Sequence, residues 1–461
     1  MEFSSLSQLL DGTKACLRLT NGTVEVLDER AFRAEAIDRL VYSAVFGSDD
    51  VREAARWIIW QAAWQVGVQS ASIDALYQAR AREEYHGVTV PAFNCRAMVY
   101  DMARAVVRAA LARNVGAFIF ELARSEIGYT FQQPAEYATV VTAAAIKEGY
   151  HGPIFIQGDH YQANAKRFAQ DPQAEIGALK RLIHDSIVAG YLNIDIDAST
   201  LVDLSYPTID EQQRTNYQVS AELAKYVRSL EPSGVTISIG GEIGEVGKKN
   251  STVEELVAYV EGFNREFGGG RGLSKISVQT GTSHGGVVLP DGTIARVKID
   301  FEALRSLSAA ARRYGLGGAV QHGASTLPLE AFDQFPKVDT LEVHLATEFQ
   351  NIIYDGGAFP AELKAEIYDF LRREFADERV PDETDEQFIY KTRKKAWGPF
   401  KRQVWDLPAD TKAQIRGLLE QRIGLMYEKL GAINTRDLVD RYVKPVRVDK
   451  PQPAALRAVG V

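Results

Sequence analysis

Four of the seven histidines in this chain of 461 residues come directly after, or at the end of, a short apolar run. These four are His160, His284, His322 and His344. Three neutral imidazoles from separate elements can hold one divalent ion and leave a position open for a substrate, which is the arrangement of catalytic zinc. We therefore expect His160, His284 and His322 to form a metal centre; the alternative is that they are unrelated histidines of the core.

Two of these histidines lie in glycine-rich turns, "GTSHGG" and "QHGAST". Small residues expose backbone N–H groups there, and serine or threonine adds hydroxyl donors, a composition typical of phosphate binding. The second turn predicts phosphate contacts at Gly323, Ser325 and Thr326. A plain tight turn has the same composition and remains an alternative.

The apolar runs alternate with amphipathic segments of helical period. Eight runs occur, at 88–93, 117–122, 153–158, 192–197, 235–240, 275–280, 317–321 and 340–344. Strand–helix alternation implies a parallel sheet, and eight such units predict an α/β fold, the (β/α)8 TIM barrel, whose chemistry gathers at the carboxyl ends of the strands. A doubly wound open sheet is the alternative, but no Gly-x-Gly-x-x-Gly opens a helix after the first run.

The barrel pattern has helical segments on either side. Residues 1–84 predict a helical N-terminal extension, 85–435 the barrel with C-terminal helices, and 436–461 a tail. Hydrophobic residues make up 46% and charged residues 25% of the chain, as in ordinary globular proteins. No run approaches the length of a membrane span, and no signal-peptide pattern opens the chain.

Charge and cysteine content narrow the classes of partner and compartment. The net charge of −8 argues against nucleic acid or an anionic membrane as partner. Two cysteines, Cys16 and Cys95, form neither a disulfide framework nor a thiolate metal cage. We therefore expect a cytoplasmic protein.

The segment from about 85 to 435 resembles the class II, metal-dependent fructose-bisphosphate aldolase family. The resemblance lies in segments that follow one another in family order: "VPAFNC", "QGDH", "IDIDAS", "GGEIGEVG", "GTSHGGVVLPDGTIARVKIDFEAL" and "QHGAST". It implies a TIM barrel that binds Zn2+, or another divalent ion such as Co2+ or Mn2+. It also implies a possible Na+ or K+ site beside the phosphate loops.

The resemblance also implies roles for individual residues. His160, His284 and His322 match the metal ligands, Glu242 matches a carboxylate near the metal, and Asp159 matches the acid/base that handles the hydroxyl proton at the reacting carbon–carbon bond. The positions expected to contact the substrate or its phosphate are Asn94, Gly285, Gly323, Ser325, Thr326, His344 and Thr347.

The sequence departs from the family in the region that contacts the substrate. The family's Asn-Ile-Asp-Thr-Asp after the last strand is "HLATE" here, and its tyrosine and lysine after the metal-binding histidine of the sixth strand are Val287 and Val288. A lysine that helps hold a phosphate is therefore missing, and Arg124 or Lys248 could replace its charge. The identity of the sugar stays open.

The resemblance implies a carbon–carbon lyase that cleaves a ketose phosphate or bisphosphate reversibly through a metal-stabilised enediolate. A barrel metallohydrolase is disfavoured because no His-x-His opens the first strand, and a Schiff-base aldolase because Lys275 begins its strand instead of ending it. A non-catalytic aldolase-like subunit remains a further alternative. We expect a homo-oligomer, a dimer or tetramer, with a phosphorylated sugar as substrate.

Overall fold

The computed structural model describes residues 2–20, 22–244, 249–281, 289, 299–324 and 327–461. Its strands are Leu17–Thr20 (β1), Thr23–Val26 (β2), Val68–Ser70 (β3), Val90–Asn94 (β4), Ile119–Ala123 (β5), Gly152–Gln162 (β6), Asn193–Asp197 (β7), Ser238–Glu242 (β8), Lys275–Val278 (β9), Ala319–Gln321 (β10) and Glu342–Leu345 (β11). Eight of them, β4 to β11, correspond to the eight predicted runs.

These eight strands close into a barrel. They follow the order β6-β5-β4-β11-β10-β9-β8-β7, and β6 also pairs with β7, so the ring has no open edge. Every pairing within the ring is parallel. The predicted (β/α)8 barrel is confirmed, and the alternative of an open sheet is wrong. The short strand β3 pairs with the beginning of β6 outside the ring.

Helices surround the barrel and extend it at both ends. Up to the last barrel strand they are Leu6–Thr13 (α1), Glu29–Ala31 (α2), Ile37–Phe46 (α3), Asp49–Gln65 (α4), Asp74–Ala81 (α5), Val99–Leu111 (α6), Arg124–Thr130 (α7), Pro134–Glu148 (α8), Ala165–Gln170 (α9), Pro172–Ala189 (α10), Ile209–Ser229 (α11), Val253–Phe267 (α12) and Phe301–Arg313 (α13). After it come Thr347–Asp355 (α14), Ala361–Glu374 (α15), Asp385–Thr392 (α16), Lys401–Trp405 (α17), Ala409–Lys429 (α18), Arg436–Tyr442 (α19) and Ala454–Ala458 (α20). Within the described ranges, no helix is both long and apolar enough to cross a membrane.

Local sequence signals set the helix starts. At α12, the Thr252 hydroxyl accepts a hydrogen bond from Glu255 N, and the Glu255 carboxylate accepts one from Thr252 N, which is a capping box. At α13, the Asp300 carboxylate caps Ala303 N at 2.9 Å. At α10, Pro172 occupies the first turn, where its missing N–H costs nothing.

The N-terminal extension is helical, as predicted, with one antiparallel hairpin formed by β1 and β2. Its long helix α4 also holds the C-terminal tail. Trp57 Nε1 donates to Lys450 O at 3.1 Å, and Trp60 Nε1 donates to Val448 O at 2.8 Å. The two ends of the chain therefore pack against each other.

The barrel interior is charged, whereas most such barrels are filled with branched apolar side chains. Lys275 on β9 is fully buried, and its Nζ lies 2.7 Å from Gln157 Oε1 on β6 and 3.0 Å from Asp195 Oδ2 on β7. It also pairs with Glu342 on β11. Because these strands are not neighbours of β9, the contacts cross the interior. These buried polar side chains continue towards the carboxyl ends of the strands.

Candidate active site

A bulge in β6 brings Asp159 and His160 to the same place. The register against β7 shifts between Gly158 and Tyr161, and His160 has a φ of 41°, in the left-handed region that residues other than glycine seldom adopt. In a regular strand two consecutive side chains would point to opposite faces. The bulge instead directs both the acid and the histidine of "QGDH" into the mouth of the barrel.

His160 meets His322, which follows β10, and Glu242, which ends β8. One donor atom from each of these three side chains lies within 4.8 Å of the other two, and the two imidazole centroids are 4.0 Å apart. Two imidazoles and a carboxylate are a donor set that suits zinc and similar divalent ions. These residues therefore fit the ion that the sequence implies.

Four predicted site residues lie outside the described residues. They are His284, Gly285, Ser325 and Thr326. Of the phosphate-turn positions, Gly323 is described; its φ is 65°, and it contributes to the same cavity as His322. The structure therefore brings together two of the three predicted metal-binding histidines.

Asp159 is buried and held on both carboxylate oxygens. His344 Nδ1 lies 3.1 Å from its Oδ1, and Asn94 Nδ2 donates to its Oδ2 at 3.1 Å. Burial by itself raises the pKa of Asp159, but the nearby His160 and His344 rings and the hydrogen bonds from His344 and Asn94 outweigh it and hold the pKa well below its usual range. These contacts favour the ionised carboxylate of Asp159.

Glu242 and Asp197 both contact His160. Its Nδ1 lies 2.9 Å from Glu242 Oε2 and 3.0 Å from Asp197 Oδ2. Burial, together with the negative charge of Asp197, raises the pKa of Glu242 to about 7. A carboxylate on one imidazole nitrogen fixes the orientation of the ring, as is common around metal-bound histidines.

His344 connects the site to the charged barrel interior. Its Nε2 lies 2.6 Å from Glu342 Oε1, and its Nδ1 lies 3.2 Å from Glu121 Oε2 as well as near Asp159. Its ring stacks on His322 at a centroid distance of 4.2 Å. We predicted His344 as a substrate contact, and the structure shows it 5% exposed and packed among carboxylates at the cavity floor.

The side chains at the strand ends open into one cavity of about 900 Å3. Predicted residues that line it are Asn94, Asp159, His160, His322, Gly323, His344 and Thr347. Its outer wall comes from α16 and the residues around it, including Tyr390 and Lys394. The volume is ample for a sugar-sized ligand.

Among the cavity residues that sequence reasoning missed are Arg96 and Glu126. Arg96 Nη1 donates to Glu126 Oε1 at 3.1 Å, and Arg96 Nη2 donates to Thr347 Oγ1 at 3.0 Å. The sequence did contain a signal for Arg96, because it comes only two residues after Asn94, which follows the first predicted strand. Arg124, which we considered as a phosphate ligand, instead forms an ion pair with Glu175.

Solved structures with a similar fold come from several enzymes. A fructuronate-tagaturonate epimerase from Cohnella laeviribosi is 12% identical, with 92% of this chain and 98% of that chain covered and a TM-score of 0.54. A probable tagatose 6 phosphate kinase from Sinorhizobium meliloti 1021 is 17% identical, with 80% and 98% covered and a TM-score of 0.52. A fructose-bisphosphate aldolase from Campylobacter jejuni is 17% identical, with 80% and 96% covered and a TM-score of 0.48.

At such identities the likeness shows the fold alone. The comparison with curated proteins finds no match. The model of the family "Fructose-bisphosphate aldolase class-II" matches residues 75–396, which is more than half of the chain. The chain therefore belongs to the class-II fructose-bisphosphate aldolase family.

Proposed function

We propose that this protein is a divalent-metal-dependent aldolase that cleaves and forms a carbon–carbon bond in a ketose phosphate or bisphosphate. One observation carries the proposal: His160 and His322 line the same cavity as the buried carboxylate of Asp159, and Glu242 completes a two-imidazole, one-carboxylate donor set with them. Membership of the family supports the metal dependence and the phosphorylated sugar.

His160, His322 and Glu242 would hold the ion, with His284 as the further predicted ligand. When bound, a divalent ion such as Zn2+, Co2+ or Mn2+ supplies a Lewis acid that stabilises negative charge on substrate oxygens. Glu242 and Asp197 keep the His160 ring in place through their contacts at Nδ1. The Na+ or K+ site remains a prediction.

Asp159 performs the proton transfer in this proposal. One of the two carbons joined by the breaking bond carries a hydroxyl group, and the Asp159 carboxylate accepts the proton of this hydroxyl. The C–O group that remains becomes a carbonyl. The electron pair of the broken carbon–carbon bond moves towards the ketone. The contacts from Asn94 and His344 fix the carboxylate, so it needs little reorganisation when the substrate arrives. In the reverse direction Asp159 returns the same proton.

A second candidate is epimerisation of a ketose or keto-acid sugar. The observation that favours it is the contact of His344 with Asp159, which places two proton-carrying groups side by side at the cavity floor. Epimerisation removes a proton from one face of a carbon and returns a proton to the other face; Asp159 and His344, which touch each other, would act together as the acid/base on one of these faces. A solved epimerase also shares its fold with 92% of this chain.

One experiment separates the two candidates. We would incubate the Zn2+-loaded protein with a panel of ketose monophosphates, ketose bisphosphates and keto-acid sugars, and analyse the products by mass spectrometry and NMR. An aldolase yields two shorter fragments, whereas an epimerase yields an isomer of unchanged mass. If no member of the panel is cleaved by the loaded protein, the aldolase proposal is wrong.

Location, oligomeric state and the contacts with the substrate are further parts of the proposal. We propose that the protein is a cytoplasmic homo-oligomer, and that Gly285, Gly323, Ser325, Thr326 and Thr347 contact the substrate or its phosphate. Light scattering of the purified protein gives the mass of the particle and so tests the expected dimer or tetramer.

A further inference from the structure

Three neighbouring barrel strands, β4 to β6, each bring one polar side chain to the same part of the active-site cavity. Asn94 ends β4, Glu126 lies in the first turn of α7 directly after β5, and Asp159 belongs to β6. The strands run parallel, with Asn94 opposite Glu121 and Ala123 opposite Asp159. Their carboxyl ends therefore place the three side chains next to one another at the cavity wall.

The amide of Asn94 lies between the two carboxylates. Its Nδ2 donates to Glu126 Oε2 at 2.9 Å and to Asp159 Oδ2 at 3.1 Å. An amide nitrogen carries two protons, so these two contacts use both of them. An ionised carboxylate only accepts hydrogen bonds, and an amide turned the other way would place its oxygen against two further oxygens. The two acids therefore decide which end of the amide group is left for a ligand.

The end that is left is the oxygen, Asn94 Oδ1. Within the described part of the chain it accepts no hydrogen bond, and it is not among the polar atoms that are sealed from solvent without a partner. The side chain lines the cavity. An acceptor in this position suits a hydroxyl, which can donate, whereas an ionised phosphate or carboxylate has no proton to offer.

Glu126 is itself held on both oxygens. Its Oε2 also accepts from Ala123 N at 2.9 Å, which joins the carboxylate to the start of α7. Its Oε1 accepts from Arg96 Nη1 at 3.1 Å. The side chain is 5% exposed. These contacts fix Glu126 against the backbone, so its effect on a ligand passes through Asn94.

We propose that Glu126 is a positioning residue that, together with Asp159, orients the Asn94 amide so that its Oδ1 accepts a hydrogen bond from a hydroxyl of the substrate. This inference rests on the proposed function, because it takes a hydroxylated sugar as the ligand of this cavity. The contact of Asn94 with Asp159 places this hydroxyl close to the reacting one. A substrate without a hydroxyl there leaves the Asn94 oxygen unpaired and binds less well.

The orientation of the amide is tested without any ligand. We would label the full-length, Zn2+-loaded protein with 15N-asparagine, assign the side-chain signals of Asn94 from an Asn94→Ala variant, and follow their exchange with water by NMR. Both amide protons should exchange more slowly than those of exposed asparagines, and Glu126→Ala should accelerate the exchange. Fast exchange in the wild-type protein, or no change in Glu126→Ala, would overturn the inference.

The contact with a hydroxyl is tested by binding. We would titrate the same protein by calorimetry with glucitol 6-phosphate and mannitol 6-phosphate, which have the hydroxyls of a ketose phosphate but no ketone and therefore cannot be cleaved. The titrations are repeated with Glu126→Ala, Asn94→Ala and the double variant. The control is Glu383→Ala, alone and with Asn94→Ala, because Glu383 lines the same cavity but pairs with Lys391. Melting temperatures show whether each variant is folded.

We expect Glu126→Ala and Asn94→Ala each to raise the Kd of an alditol phosphate by about three- to tenfold, the loss of one hydrogen bond. Since Glu126 acts through Asn94, the double variant should bind no more weakly than the weaker single variant. In the Glu383→Ala background, by contrast, Asn94→Ala should weaken binding by the same factor as in the wild type. A merely structural role of Glu126 predicts that its effect multiplies with that of Asn94→Ala.

Multiplying effects of Glu126→Ala and Asn94→Ala would therefore overturn the inference. So would a folded wild-type protein that binds neither alditol phosphate, because no hydroxyl would then meet Asn94. These outcomes do not depend on catalysis. A protein that shows the coupled effect but cleaves no ketose phosphate keeps the hydroxyl contact and rules out the aldolase proposal.

Discussion

His344 Nδ1 lies 3.1 Å from Asp159 Oδ1, while the other nitrogen of the same ring lies 2.6 Å from Glu342 Oε1. One imidazole thus connects the proposed catalytic carboxylate with the buried ion pair of Glu342 and Lys275. Burial tends to raise the pKa of Glu342, but Lys275 and His344 hold it at about 2. The charged residues inside the barrel therefore favour the ionised state of Asp159 at the mouth of the barrel.

Replacing Asp159 by asparagine removes the proposed proton acceptor and keeps the shape of the side chain. We expect kcat to fall by ~10²–10⁴-fold, the usual contribution of a general acid–base group, with the metal content unchanged. Steady-state kinetics and metal analysis of the same preparation check this. Asp185→Asn, at an exposed position, is the control and retains activity. Full activity in Asp159→Asn would assign the proton transfer to another group.

Gly158 allows the bulge that aligns Asp159 with His160. A Cβ on Gly158 would lie 2.4 Å from Cζ of the buried Tyr161 ring, whose hydroxyl contacts Ser186. We expect Gly158→Ala to lower the free energy of unfolding by ~1–3 kcal/mol, since the ring has to move, and to reduce metal content. Denaturant unfolding and metal analysis measure both effects.

The control for this variant is Gly417→Ala, in the interior of α18, where an added Cβ meets no atom within 4 Å. Alanine is the better helix former, so this change should raise stability by up to ~1 kcal/mol. If Gly158→Ala were as stable as Gly417→Ala and kept its metal, the bulge would not depend on a glycine.

We expect the tail lysine Lys450 to make the free energy of unfolding depend on pH. Its Nζ donates to Ala189 O at 2.7 Å and lies 3.6 Å from the centroid of a Trp60 ring. Burial lowers its pKa from 10.5 to about 7, and Arg56 adds to the effect. Between these two values the unfolded chain binds a proton that the folded chain does not, so the free energy of unfolding rises with pH.

This contribution is at most ~1.4 kcal/mol per pH unit. We expect Lys450→Met to reduce the rise measured by urea unfolding between pH 7 and 10, whereas the exposed control Lys444→Met keeps it. Identical pH slopes in wild type and Lys450→Met would show that Lys450 stays protonated in the folded protein.

Most of the fold was predictable because each barrel strand is a short apolar run between amphipathic segments. The observed strands begin and end within a few residues of the predicted runs; the sixth run, 275–280, corresponds to Lys275–Val278. The N-terminal hairpin was missed although "LRLTNGTVEV" contains an Asn-Gly pair between two alternating segments, which is a strong hairpin signal.

The candidate site was predictable only where chemistry lies at a strand end. Asp159, His160 and His322 follow from that rule and line one cavity, and Glu242, which also follows from it, contacts His160. Lys394 could not be found in this way because it lies in the helical segment after the barrel, and only the folded chain brings it beside Arg96. The bulge in β6 could not be predicted either, because nothing in "QGDH" indicates that His160 has a positive φ.

The most direct test of the proposed metal centre is the metal content of the purified protein, measured by inductively coupled plasma mass spectrometry after supply of Zn2+ and dialysis. We predict about one ion per chain in the wild type, loss of the ion in His160→Ala and His322→Ala, and retention in His184→Ala, whose side chain is 50% exposed. A wild-type protein that takes up no ion, or His160→Ala and His322→Ala variants that keep a full complement, would contradict the metal-dependent mechanism.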